Sequence, residues 1–277
     1  MVVYKSMSFE INNHTDVNSE DLEAFERAMA ELEEKSSIAD EIGMQVREQF
    51  GDQLADVGLG LNLRPYELGG ELEPEVIPVL KGIAIYVPKH AAVSWVKPDS
   101  GGSCWFNSGR ISQSSVDQSN GKLSLRACVS SGGIDYERAS GAIGVILSAQ
   151  GGVATHYEVV FHYIASVRTA WELPISGHGN QHNSISIGAV VWDITTPGQS
   201  IWVRGVPGID RNGYYAATQA PTYGDQQLPM PRSNYLKVPL LVNPGKRYML
   251  VLTGSIQVSA ANSKGYVESE IELVEWA

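Results

Sequence analysis

The chain has 277 residues, 43% of them hydrophobic, with 31 Asp/Glu against 20 Lys/Arg and a formal net charge of −11. That hydrophobic share can fill a sizeable core, and no apolar run approaches the ~20 residues of a membrane span. The acidic balance argues against nucleic acid as the main partner, because phosphate binding relies on clustered cations and Lys246-Arg247 is the one adjacent basic pair.

The charge is concentrated at one end. Residues 1–80 hold 18 Asp/Glu against 5 Lys/Arg, which leaves 13 against 15 for residues 81–277. An acidic arm therefore precedes a near-neutral body. The first residues, MVVYKSMSFEINN, lack a charged segment followed by an apolar core, so no signal peptide is expected. Synthesis in the cytosol follows, with a later life in a virion or outside the cell left open. Two cysteines, Cys104 and Cys128, do not make a disulfide framework. Both are expected as small apolar residues on strands, and a single bridge between them stays open.

Along the arm, Asn18-Ser19-Glu20-Asp21 reads as a helix start, with Asn18 or Ser19 as cap and acids in the first turn. Leu22, Phe25, Met29 and Leu32 then recur at helical spacing as one apolar stripe on a charged helix. Ser36-Ser37 is expected to interrupt it and cap a second helix carrying Ile38, Ile42, Val46, Phe50 and Leu54. Gly43 and Gly51 weaken that second helix, and Gly58 and Gly60 end it. The stripe is the candidate docking surface of a homo-oligomer. Parallel copies of so acidic a helix would repel each other, so docking on the body of a neighbour is expected over a self-coiled coil. Residues 61–80, with Pro65, Gly69, Gly70, Pro74 and Pro78, have linker composition. The expected division is residues 1–74 for arm and linker and 75–277 for the body.

From Val76 onward, short β-patterned runs recur between turn signals: 76–87, 92–97, 122–129, 142–148, 154–164, 185–192, 200–204, 235–242, 247–258 and 266–276. This is the signature of a mainly β body, a β-sandwich of jelly-roll-like type with a short α-helical N-terminal arm, and its sub-sheets could be split between 75–172 and 173–277. In 154–164, Thr155, Tyr157, Val159, Phe161 and Tyr163 alternate with His156, Glu158, Val160 and His162. In the last run, Val267, Ile271 and Leu273 oppose Glu268, Glu270 and Glu272.

Stretches 142–164 and 248–276 share a rhythm: an apolar strand, a Gly/Ser-rich turn, then a strand alternating Glu or His with large apolar residues. Each is expected to form a hairpin. The pattern resembles the closing hairpin of small RNA-virus jelly-roll coat proteins, where a strand of the form Gly-x-x-x-Glu-x-x-Val/Leu ends the shell domain. The resemblance implies a coat, spike or fibre role. Such coats carry a basic, RNA-binding arm, so the acidic arm here points to a spike, fibre head or RNA-free shell.

Residues 205–234 read as the longest irregular stretch, rich in Gly and Pro and carrying Tyr214, Tyr215 and Tyr223. Together with Trp202 these rings form the candidate binding or contact loop, because Tyr and Trp supply stiff contact area with a polar handle.

Catalytic and metal chemistry find little support. Glu158 and His162 lie ~13 Å apart along a straight strand, so one metal cannot collect both with His156. His178 and His182 lack a third ligand nearby in sequence. There is no Gly-x-Ser-x-Gly elbow, no phosphate-binding loop, and no third glycine after Gly58-x-Gly60. Glu268, Glu270 and Glu272 are expected as a solvated row that discourages edge pairing. Six tryptophans, at 95, 105, 171, 192, 202 and 276, read as core and interface anchors. No catalytic residue, metal ligand or cofactor is assigned. The leading expectation is a non-enzymatic structural or recognition protein of a virion or phage-like particle, a capsid, spike or fibre component, with a host receptor or glycan as a further partner. The alternatives are a pore-forming or insecticidal-type toxin, with Ser108–Asn120 as inserting element, and a carbohydrate-binding β-sandwich module.

Overall fold

The computed structural model describes residues 8–12, 17–50, 83–102, 109–172, 179–217, 223–228 and 234–274. The expected linker and domain boundary, Cys104, Trp105, His178 and Trp276 lie outside these residues. In chain order the described elements are β1 (Ser8–Asn12), α1 (Ser19–Phe50), β2 (Ile83–Tyr86), β3 (Val93–Val96), β4 (Ile111–Asp117), β5 (Lys122–Gln150), β6 (Thr155–Glu172), β7 (Gly179–Asp193), β8 (Ile201–Ala217), β9 (Tyr223–Leu228), β10 (Asn234–Val242) and β11 (Arg247–Leu273). The protein is mainly β, a β-sandwich with one N-terminal helix.

The spine of the sandwich is the antiparallel pair β5·β11, of 29 and 27 residues. A straight strand of that length would span roughly 90 Å. The pair therefore coils from one layer into the other. The register records where this happens: Ile134 faces Ala261 and Ser131 faces Ser263, so Gly132-Gly133 oppose a single residue in a β-bulge. On one side of the bulge β11 pairs with β7, from Tyr248↔Asp193 to Ala261↔Asn180. On the other it pairs with β6, from Lys264↔Glu172 to Leu273↔Tyr163. The first layer thus joins β1 and β3, the second half of β5, the first half of β11, β7 and β8. The second joins β4, the first half of β5, the second half of β11, β6, β9 and β10, with β2 parallel to β6.

The faces follow the sequence alternation. Tyr157, Val159, Phe161 and Tyr163 of β6 and Leu236, Val238 and Leu240 of β10 pack between the layers against Val145, Leu147, Ile185, Ile187, Leu250 and Leu252. Val267, Ile271 and Leu273 join the same core. Burial pushes the Tyr163 hydroxyl up to about 12. Gly141 and Gly254 face each other across β5 and β11. A Cβ on Gly254 would lie 2.4 Å from Ile271 Cδ1, and one on Gly141 2.5 Å from Leu123 Cδ1. Bare backbone at this pair lets the far ends of the same two strands fold over it.

Several expectations are corrected. Stretches 142–164 and 248–276 are not hairpins: residues 142–150 of β5 lie in the other layer from β6 and do not pair with it, and 248–273 is one strand whose Ala/Asn/Ser stretch lies at the bulge. The sheets do not divide between 75–172 and 173–277, because β11 pairs with β5, β6 and β7 alike. Residues 205–217 continue β8, and Tyr223 opens β9. Their Gly and Pro mislead because a register shift at Ile187/Gly188 absorbs Pro207-Gly208, and a proline is tolerated at such an irregularity. Glu268, Glu270 and Glu272 sit on an interior strand of the sheet, so they do not guard an edge.

Candidate functional site

Helix α1 forms a third layer. Asn18 caps it: its Oδ1 accepts from the Asp21 N–H at 2.8 Å, and Leu22 N–H donates to its carbonyl at 3.2 Å. The helix runs through Ser36-Ser37 without the expected interruption. A serine costs only a few tenths of a kcal/mol inside a helix, so the pair is no stop signal by itself.

The expected docking stripe meets the outer face of the first layer. Phe25 and Met29 are buried among Val93, Ala142, Ile146, Val190, Trp192, Met249 and Val251. Leu32 packs at the margin of this cluster, and Leu22 is 36% exposed. The stripe therefore docks on the body of its own chain, where a neighbour's body was expected. Ion pairs fix its register at both ends of the contact. Buried Asp21 meets Arg247 Nη2 at 2.5 Å. About 18 Å further along the helix axis, Glu33 accepts from Ser140 Oγ at 2.5 Å and lies 3.6 Å from Arg138 and 3.7 Å from Lys97.

Beside the stripe, between α1 and the start of β8, opens a cavity of about 450 Å³. That is within the ~300–1,000 Å³ range of ligand sites. Ala24 and Ala28 of the helix form one wall, and the small side chains leave the space. Trp192 forms the floor and Trp202, 37% exposed, one lip, with ring centroids 6.4 Å apart and planes at 79°. Phe25 meets Trp192 edge-on from below, also at 6.4 Å. The upper rim of α1 carries Arg27, Glu31 and Lys35, each four residues from the next and all exposed.

The opposing loop, residues 194–200, is pinned. Gln199 N–H donates to Thr196 O at 3.1 Å across a turn with Pro197 and Gly198, whose φ of 70° is the left-handed value this turn needs. Arg27 Nη2 donates to Gly198 O at 3.0 Å, and Ser200 Oγ to Ala24 O at 3.3 Å. Asp193 anchors the loop start. Burial pushes its carboxyl up, but the hydroxyl and N–H of Thr195 and the ammonium of Lys246, 2.9 Å away, hold it below the usual carboxylate range.

The structure brings Trp202 to this cavity and leaves the tyrosines elsewhere. Tyr214 and Tyr215 stand on β8 opposite His182 and Gln181, and Tyr223 pairs with Glu172 on β9, in the other layer. They are strand positions and do not form one contact loop with Trp202. Sequence reading missed Trp192, Arg27, Glu31 and Lys35 as partners. The i, i+4, i+8 spacing of the last three was visible, but not the strand they would face. Glu158 pairs with Lys237 at 2.8 Å, and His162 stacks on Tyr235 with centroids 4.4 Å apart. Among the described residues no group of three or more His, Cys, Asp or Glu is placed to hold a metal ion. No helix of the described residues is long and apolar enough to cross a membrane.

No protein-family model matches the chain, and no curated protein matches it. Among solved structures, the chain is similar to the enzymatically active domain of tailspike protein 4 of bacteriophage CBA120, at 10% identity and a TM-score of 0.19. The match covers 65% of this chain and 19% of that one. The expectation of a protein without catalysis is corrected here: it does not stand beside a neighbour of that description and is withdrawn. At this TM-score no activity passes from the neighbour to this chain.

Proposed function

We propose that the chain is a structural or recognition protein of a virion or phage-like particle, a spike, fibre or shell component that works as a homo-oligomer and presents the α1–β8 groove to a partner. The observation that carries this reading is the groove lip. Ile201 and Trp202 are 56% and 37% exposed, next to a preformed cavity. Apolar groups clustered at the mouth of a cavity and rimmed by charge mark an interaction site, whereas scattered ones do not. The rigid sandwich and the pinned 194–200 loop hold that lip in place at little ordering cost on binding.

Negative-stain microscopy and light scattering of the full chain test the proposal. Rings, fibres or shells at tens of micromolar are the expected result. A monomeric mass at that concentration overturns the particle reading. The toxin alternative gains no support from Ser108–Asn120. Residues 111–117 form β4, which is paired along its whole length with β5 and is shorter than the ~9–11 residues of a membrane-crossing strand.

A further inference from the structure

The groove's chemistry narrows what it takes, on the reading that it is a recognition surface. Its lip is a flat indole face, exposed yet immobilised edge-on by Trp192, which Phe25 holds in turn. A face of that kind suits a ligand with a flat apolar side and a polar perimeter. Its rim alternates in kind. Arg27 and Lys35 are donors without acceptor capacity, and Glu31 between them accepts without donating. Spaced at i and i+4, the three span ~12 Å of helix on one side. Gln199 and Ser200 add neutral donor–acceptor groups from the facing loop. Among the described residues, Glu31 and Lys35 have no ion-pair partner, so their capacity is available to a ligand.

Three ligand classes fit poorly. A phosphate or acidic peptide would gain from Arg27 and Lys35 but meet Glu31 between them. A cationic peptide would gain from Glu31 and meet two like charges. A purely apolar ligand would strip water from three charged side chains with nothing in return.

We propose that the groove binds a neutral saccharide. The C–H face of a pyranose ring lies on Trp202, and its hydroxyl groups donate to Glu31 and accept from Arg27 and Lys35. Arg27 is presented for this by the bond from Nη2 to Gly198 O, which fixes its fork while leaving further N–H groups outward. The ~12 Å rim matches a short oligosaccharide better than a single ring.

The probes are short neutral gluco-, galacto- and manno-oligosaccharides, measured by glycan array and by calorimetry on the full chain. At least one is expected to bind, with Trp202→Ala and Glu31→Gln each weakening it roughly tenfold or more, as for a central contact. Tyr235→Ala, an exposed aromatic on the opposite layer, is expected to bind as the parent does. Glu31→Gln keeps size and helix propensity, so it reports even if Trp202→Ala disturbs the fold. No binding to any probe at millimolar concentration overturns the inference, as does binding that both variants leave unchanged. Microscopy of the same samples separates the two readings. Assemblies without saccharide binding sink the saccharide and spare the particle, and binding by a monomer does the reverse. Loss of assembly in Trp202→Ala without saccharide binding makes the groove a subunit contact.

Discussion

The two halves of the β5·β11 spine carry opposite chemistry on their outer faces. Above the bulge, the outward residues are Ala142, Ile146, Met249 and Val251, and α1 covers them. Below it they are Lys122, Arg126, Glu268, Glu270 and Glu272, exposed or half-buried. There Lys122 meets Glu270 at 3.0 Å, Arg126 meets Glu268 at 3.4 Å, Arg168 meets Glu268 at 3.8 Å and Lys89 meets Glu272 at 3.4 Å. One pair of strands therefore needs a helix on half its length and needs nothing on the other half. Helix α1 of the acidic arm packs on the body, even though its charge sets it apart in sequence.

The sharpest way to break this comparison is to unseat the helix. Phe25→Asp places a charge in the cluster under α1. Removing the ring alone costs about 3–5 kcal/mol, and the unpaired carboxylate adds to that. A fall in Tm of more than ten degrees, or loss of solubility, is expected by calorimetry. Leu22→Ala on the same stripe should stay within about 0.5 kcal/mol, because the residue is partly exposed. Equal effects of the two would show that α1 does not seat as described.

Arg247→Ala is the next largest. It leaves Asp21, 1% exposed, buried without its cation. Breaking a buried pair costs about 3–5 kcal/mol, and the lower end applies because Arg247 is partly exposed. A double variant with Asp21→Asn should recover part of the loss by denaturant titration. Without recovery, the pair does not hold the helix start.

The bare face should respond weakly. Arg126→Ala is expected to cost about 0.2–1 kcal/mol, and the cost should shrink in molar salt, as for exposed ion pairs. A larger, salt-independent loss would mean that this face is covered in the native assembly.

The smallest effect is at the β4–β5 turn. The side chains of Ser119 and Asn120 donate to Asp117 and hold its carboxyl down at about 2, against an ordinary 3.8. Because the folded value is depressed, its contribution is fully present above about pH 4 and is lost as pH falls towards 2. Asp117→Asn removes that contribution, so stability should fall slightly at pH 7 and not near pH 2, which flattens the acid side of the profile in that window. An unaltered profile would remove the turn from acid sensitivity.

The sequence by itself determined which residues form strands in most of the body and which face of each is inward. Period-2 alternation is local, and Tyr157, Val159, Phe161, Val267, Ile271 and Leu273 fall inward as it requires. It also determined the helix start, because Asn18 caps through a bond three residues away. Pairing was not legible. Whether a Gly/Ser stretch is a hairpin turn, a link between layers or a bulge depends on which distant strand is opposite: 150–153 links the layers, whereas 130–133 and 259–263 meet at one bulge. The Ser36-Ser37 pair and the 205–217 segment were misread for the same reason: weak local breakers yield to a continuing ladder. The site lay furthest from reach. Arg27, Glu31 and Lys35 are one row by spacing alone, but only the packing of Phe25 and Met29 on the sheet turns that row toward Trp202, some 170 residues away in sequence.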